Sequence, residues 1–272
     1  MTRIIKKVLV YIESMRGIYW EDTQFICGYE AGCFGYTLYH QLTDHNVKCI
    51  ILAPTTMPQM KGRKKIKNDK RDAGNIAKCL AFHTYSSVHI PTQEDEQVKE
   101  FIRMRNDYKH QLKAVKQQIL SFCLRHGLRC DTSKSNWTIA HLKWLRSLEL
   151  TPLHREIISE YLGTYDHLTD KVQRLDKGIG EFAAQEAYCE KEKKLKCFIG
   201  SKTHTALASL VEVGDFNRFA TAEKFASYLG LVPGEDSSGD SQQRLATRTC
   251  CVSLQKLPSA MGGALLAINP RR

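Results

Sequence analysis

The sequence predicts an α/β unit at the front of the chain followed by an α-helical remainder, an α/β plus α protein. Three observations predict it. Two short apolar, β-leaning runs flank a helical stretch before Pro54, two long heptad stripes fill the middle, and short helices broken by glycine follow.

Each element can be justified in order. Ile5, Val8, Leu9 and Ile12 recur at helical spacing over Ile4 to Met15, and Gly17 ends that helix. Phe25-Ile26-Cys27 leads into Gly28-Tyr29-Glu30 as a short strand, Tyr36 to Leu42 reads as a helix, and Val47 to Leu52 reads as a buried strand stopped by Pro54. Strand, helix, strand at this spacing is a parallel crossover unit. Helical periodicity resumes from Asp72 to Phe82, and Val88-His89-Ile90 before Pro91 reads as a further strand. In the middle, Val98, Phe101, Arg105, Tyr108, Leu112, Val115, Ile119 and Phe122 follow alternating steps of three and four. Ile158, Tyr161, Tyr165, Leu168, Val172, Leu175, Ile179 and Phe182 repeat the template. Such stripes make a coiled coil, either with each other as an antiparallel hairpin or between chains, or else two helices of a compact bundle. Gly178 and Gly180 weaken the end of the second stripe. Trp137, Leu142, Trp144, Leu145 and Leu148 form an aromatic-rich helical patch between the stripes. Thr205 to Val213 and Thr221 to Leu229 read as short helices around Gly214, and Glu235 to Ser241 reads as a polar loop. From Ala246 to Arg272 there is no acidic side chain and no clear period.

Composition narrows the function classes. The 272 residues carry 40 Lys and Arg against 29 Asp and Glu, a net charge of +11. That balance favours an anionic partner, nucleic acid first and an acidic membrane second. No apolar run approaches the roughly 18 residues of a spanning helix, and Met1 to Val10 lacks the apolar core and cleavage site of a signal peptide. The 10 cysteines show no Cys-x-x-Cys spacing and read as reduced thiols in core gaps rather than a disulfide framework.

The chemistry-bearing residues are few. Glu30 ends a strand, while Asp69 and Asp72 lie three apart at the start of a helix and point to one side of it. Carboxylates gathered this way need a cation between them, which makes them candidate Mg²⁺ ligands; Asp69 and Asp72 also suit a helix N-terminus simply as acids. Beside them Lys61, Arg63, Lys64, Lys65, Lys67, Lys70 and Arg71 form a basic run that could neutralise a phosphate backbone, or could be a solvated loop. Ser237, Ser238 and Ser241 sit in a Gly-containing loop, where a serine is a nucleophile only if a base or metal activates it.

Taken together and in order, several of these blocks resemble a known family. They are Tyr29-Glu30-Ala31-Gly32, the strand ending in Ala53-Pro54, the basic run, Asp69-Lys70-Arg71-Asp72-Ala73, Gly214-Asp215-Phe216-Asn217-Arg218-Phe219, Tyr228-Leu229-Gly230-Leu231-Val232-Pro233 and Ser237-Ser238-Gly239. The family is that of the transposases of the insertion-sequence group numbered one hundred and ten, relatives of the pilin-gene invertase, and the resemblance runs over roughly residues 5 to 245. It implies an RNase H/RuvC-like domain whose Asp, Glu, Asp, Asp set binds divalent metal, here Mg²⁺. It also implies a coiled coil for homo-oligomerisation and a C-terminal domain with a nucleophilic serine. DNA at the element ends and target is cut and rejoined, with a structured guide RNA, in the bacterial cytoplasm and without a membrane. On that resemblance Glu30, Asp69 and Asp72 are the second, third and fourth acids and Ser238 is the nucleophile. Residues 1–92 become a partial RuvC-like domain, 93–194 the coiled-coil region, 195–245 the C-terminal transposase domain and 246–272 an aberrant tail.

Two departures shape the expectation. The family's first aspartate lies on its own strand upstream of the glutamate, whereas the residues before Glu30 read as a helix with no aspartate before Asp22. After Arg244 the family's pattern gives way to Thr247-Arg248-Thr249-Cys250-Cys251. The expectation is a transposase truncated at its N-terminus and altered, by a shift of reading frame near residue 246, at its C-terminus. It would be defective as a recombinase for want of the first catalytic aspartate. The alternative is a catalytically dead remnant that still binds nucleic acid and oligomerises. A coiled-coil scaffold unrelated to nucleic acid explains the heptads but neither the basic run nor the Gly-Leu-Val-Pro block.

Overall fold

A computed structural model describes residues 3–19, 23–32, 35–54, 57, 69–131, 135–198, 200–231, 235–238 and 241–244. It is mostly helical with a small parallel two-stranded sheet, and it divides into two compact units, Met1–Ile90 and Pro91–Arg272.

In the first unit, α1 (Arg3–Arg16) turns Ile5 and Ile12 inward at the predicted spacing. Strand β1 (Ile26–Glu30) pairs in parallel with β2 (Lys48–Leu52), from Ile26 opposite Lys48 to Glu30 opposite Leu52, with α2 (Thr37–Asp44) as the crossover. The core joins Ile5 and Ile12 to Leu42, Val47 and Cys49. Helix α3 (Asp69–Phe82) packs on β1 because the strand offers a glycine there. A Cβ at Gly28 would meet the Leu80 side chain at 2.8 Å and Leu52 at 3.1 Å. The strand expected over Val88–Ile90 does not form. The chain makes a single antiparallel bridge, Leu52 to Ser87, and the Val88 N–H donates to the Ile51 carbonyl at 2.8 Å. Pro91 and the helix cap at Thr92 then carry the chain away before a ladder can develop.

The second unit is built on two long antiparallel helices, α4 (Gln93–Arg125) and α6 (Pro152–Ala183). Each starts on a threonine whose side chain accepts a backbone N–H of the first turn, Thr92 from Asp95 and Thr151 from His154. Every position of the two predicted stripes is buried or half-buried. Phe101 meets Phe182 edge-on at one end, and Phe122 meets His154 at the other. The pairing is thus an antiparallel hairpin within one chain. Arg105, the one polar member of the stripes, donates from Nε and Nη2 to the two carboxylate oxygens of Asp176 at 2.7 and 3.0 Å. Helix α5 (Ile139–Ser147) covers the far half of the hairpin with Leu145, followed by Leu148.

Near the other end, α7 (Glu186–Lys196) and α8 (Thr203–Val213) pack on the pair. Tyr188 donates to Asp95 at 2.6 Å, and Lys99 meets Glu212 at 3.3 Å, both largely buried. Gly214, at a φ of 67°, ends α8 in a conformation that a side chain would strain. A 3₁₀ turn (Phe216–Arg218) and α9 (Ala222–Tyr228) then pack Val213, Phe225 and Leu229 into a small core. The segment read as a polar loop is instead an antiparallel hairpin, β3 (Glu235–Ser238) with β4 (Ser241–Arg244). The tail from 246 lies outside the described residues.

Candidate nucleic-acid and metal residues

The parallel pair positions the first acid. Glu30 is the last residue of β1, level with Leu52, and is exposed; the next residue continues the pairing through the Ala31 N–H to the Leu52 carbonyl at 2.9 Å. Asp69 and Asp72 occupy the first turn of α3 and are exposed, the i, i+3 pair that the sequence predicts. At that position they also face the positive end of the helix dipole, which favours them without any metal. Lys70 and Arg71 stand between them in sequence and are exposed too. Lys61, Arg63, Lys64, Lys65 and Lys67 lie outside the described residues.

These acids do not close around an ion. Among the described residues, no group of three or more His, Cys, Asp or Glu side chains could hold a metal. Two neighbouring carboxylates on a helix and a third at a strand end are therefore a poor fit to the Mg²⁺ site that the resemblance implies. A divalent oxygen-ligand site needs its carboxylates to converge. Ser238 is the last residue of β3, paired with Ser241 by its backbone; its side chain lies outside what is described.

Among the described thiols Cys49, Cys79 and Cys123 are core groups, whereas Cys197 is exposed. Cys27 and Cys49 face each other in register across the sheet, both free, and burial pushes the Cys49 thiol up to about 11, helped by the charge of Cys27. A thiol held that far above neutrality is unreactive at physiological pH.

Sequence reasoning missed two features around these residues. Gly28 sets how closely α3 can approach the strand that carries Glu30, and a glycine inside a strand is the signal for such an approach. The β3–β4 hairpin was also missed. Gly239-Asp240 falls between its strands, and a two-residue glycine-containing link is a recognised hairpin signature.

Comparison with known proteins defines the class first. Residues 19–126 match a DEDD transposase family of the IS110 type, and residues 192–268 match the transposase IS116/IS110/IS902 family. Glu30, Asp69 and Asp72 fall inside the first match and Ser238 inside the second. The second match also runs through most of the segment read from sequence as an altered tail. The chain belongs to the IS110/IS116/IS902 family of transposases. It is 35% identical over 198 residues to the transposase for insertion sequence element IS1533 of Leptospira borgpetersenii, covering 72% of this chain and 57% of that protein. It is 30% identical over 218 residues to the transposase y4qE of Sinorhizobium fredii, covering 80% of this chain and 52% of that one. The chain thus spans little more than half the length of these relatives. Among the described residues no helix is long and apolar enough to cross a membrane.

Proposed function

We propose that this chain serves DNA transposition by binding nucleic acid and assembling with copies of itself, and that the free 272-residue polypeptide does not cut DNA. One observation supports the first half above all others. Both family matches occur on one polypeptide, in order, the first running through α4 and the second starting beyond α6. The proposed partners are DNA at the element ends and target and a structured guide RNA, in the bacterial cytoplasm. The proposed roles follow the family. Glu30, Asp69 and Asp72 correspond to three of the four acids of an RNase H/RuvC-like domain. Ser238 is the nucleophile, and Lys61, Arg63, Lys64, Lys65, Lys67, Lys70 and Arg71 lie along the phosphate backbone. Assembly with copies of itself follows from the family resemblance, since the heptad stripes are used within the hairpin of one chain.

The second half rests on the acids. Because they do not converge, no cutting step is routed through Mg²⁺, and binding is what the free chain retains. The test incubates the chain with DNA carrying the element ends, with and without Mg²⁺. The expected result is DNA retention that weakens steeply with salt and no strand nicking. Mg²⁺-dependent nicking that disappears in D69N/D72N and in S238A would overturn the silent assignment and put those residues to work. Absence of retention at low salt would overturn the nucleic-acid reading itself.

A further inference from the structure

The most one-sided charge among the described residues falls in the second unit. Between Tyr108 and Leu148 the chain carries one acidic residue, Asp131, while Lys113, Lys116, Arg125, Arg129, Lys143 and Arg146 all fall there. Helix α4 begins, in contrast, with Glu94, Asp95 and Glu96. Acids in the first turn and Arg125 in the last are what the helix dipole favours, but that effect fades within a turn. Lys113 and Lys116 lie well inside the helix and need another reason.

Two of these cations, Lys113 and Lys116, lie on the side of α4 that meets the segment entering α5, while Arg125 falls on the other side of the apolar stripe. Lys113 and Lys116 share a face of α4, one turn apart. The Lys116 ammonium lies 5.2 Å from the centre of the Trp137 ring and 5.6 Å from that of Tyr165. The segment entering α5 is therefore seated beside that face. Trp137 takes a φ of 67°, costly for so large a side chain, and its ring is held in place by stacking on Tyr165 at 5.2 Å. Helix α5 turns His141 and Leu145 inward and leaves Ile139, Lys143 and Arg146 exposed at steps of four and three. Arg146 is held by Asp166 of α6 at 2.7 Å; Lys113 and Lys143 are exposed. Along α6 the exposed charges are mixed, including Glu156, Glu160, Asp166 and Asp170 with Arg174 and Lys177.

The chemistry selects the partner. A lysine- and arginine-rich flank suits a phosphodiester backbone. The aromatic rings beside it are already engaged, Trp137 by Tyr165, Lys116 and, edge-on, His141. With the Trp137 ring occupied in this way rather than offered to an unpaired base, the surface fits the regular backbone of a duplex better than a single strand. We propose that the α4–α5 flank binds the backbone of duplex DNA without reading its sequence, through Lys113 and Lys143. This rests on the nucleic-acid reading above.

The test measures retention of a short duplex of arbitrary sequence by the full chain across a salt series. K113E/K143E is compared with a charge-matched control on α7, K191E/K194E. We expect K113E/K143E to bind at least about tenfold more weakly at low salt and to make the plot of log affinity against log salt shallower by about two units, one per lost phosphate contact. The control should keep the wild-type slope. If charge reversal disturbs the helical circular dichroism, K113Q/K143Q should give the same change in slope. Equal losses in both pairs would mean diffuse attraction to net charge and would overturn the proposal. So would an unchanged slope in K113E/K143E, which would leave the nucleic-acid reading standing. A larger effect of the substitutions on single-stranded RNA than on duplex DNA would overturn the choice of partner. No retention by the wild-type chain would remove both readings.

Discussion

Arg105 sits where the heptad template of α4 calls for an apolar side chain, and its own side chain is 9% exposed. Its guanidinium is neutralised by two parallel bonds to Asp176, and Nη1 donates to the Asn106 side chain at 3.3 Å, which in turn meets His204 of α8 at 3.1 Å. The pair fixes the register of α4 against α6 but need not add stability, since desolvating two charges offsets much of their attraction. Removing only the acid is different, because it leaves a buried cation unpaired. For a fully buried pair that costs about 3–5 kcal/mol. Asp176 is 44% exposed, so solvent screens part of it and the expected loss in D176A is nearer about 2 kcal/mol. R105M, which removes the charge and keeps the volume, should stay within about 1 kcal/mol of wild type. Urea unfolding of the two variants compares them. A larger loss in R105M than in D176A would show that the guanidinium matters for its contacts rather than for its charge balance.

At the scale of the element, two of the three glycines of α6, Gly178 and Gly180, separate propensity from packing. Both lower the intrinsic stability of a helix, yet α6 runs past them to Ala183 because its apolar face is buried against α4. At Gly180 a Cβ would find nothing within 4 Å, whereas at Gly178 it would stand 3.0 Å from the Phe101 ring. G180A should therefore stabilise the protein by about 1 kcal/mol, the helix-propensity difference. G178A should gain clearly less, because Phe101, packed edge-on to Phe182 at 5.1 Å, must give way. Equal thermal shifts for the two variants would show that Phe101 moves freely. The same balance explains what the sequence made legible. The stripes of α4 and α6 could be read because their period and their burial coincide. The β3–β4 hairpin could not, because Glu-Asp-Ser-Ser and Ser-Gln-Gln-Arg show no apolar alternation. Glu30, Asp69 and Asp72 were legible as local positions, a strand end and a first helical turn. Whether they meet depends on how α3 is held against β1, a tertiary distance that no spacing along the chain encodes.

The whole molecule divides unevenly, and cysteine reactivity can follow the division. The core cluster of the Met1–Ile90 unit has five buried members, Ile5, Ile12, Leu42, Val47 and Cys49, with Ile51, Leu52 and Cys79 buried besides. The hairpin of the second unit gathers ten in one cluster, Cys123 among them, with further clusters around α8 and α9. No described core cluster draws on both units. Stability grows with the apolar surface a unit buries, so the first unit should open at lower denaturant than the second. Cys49 and Cys123 report this directly, since each is buried and free, and burial raises both thiols, Cys49 to about 11. Once exposed, each should fall back toward the ordinary thiol value of about 8.5 and become reactive at mildly alkaline pH. Pulse alkylation of the full chain through a urea series, read by mass spectrometry, should label Cys49 at a lower midpoint than Cys123, with the exposed Cys197 labelled throughout. Coincident midpoints for Cys49 and Cys123 would mean that the two units unfold as one cooperative body.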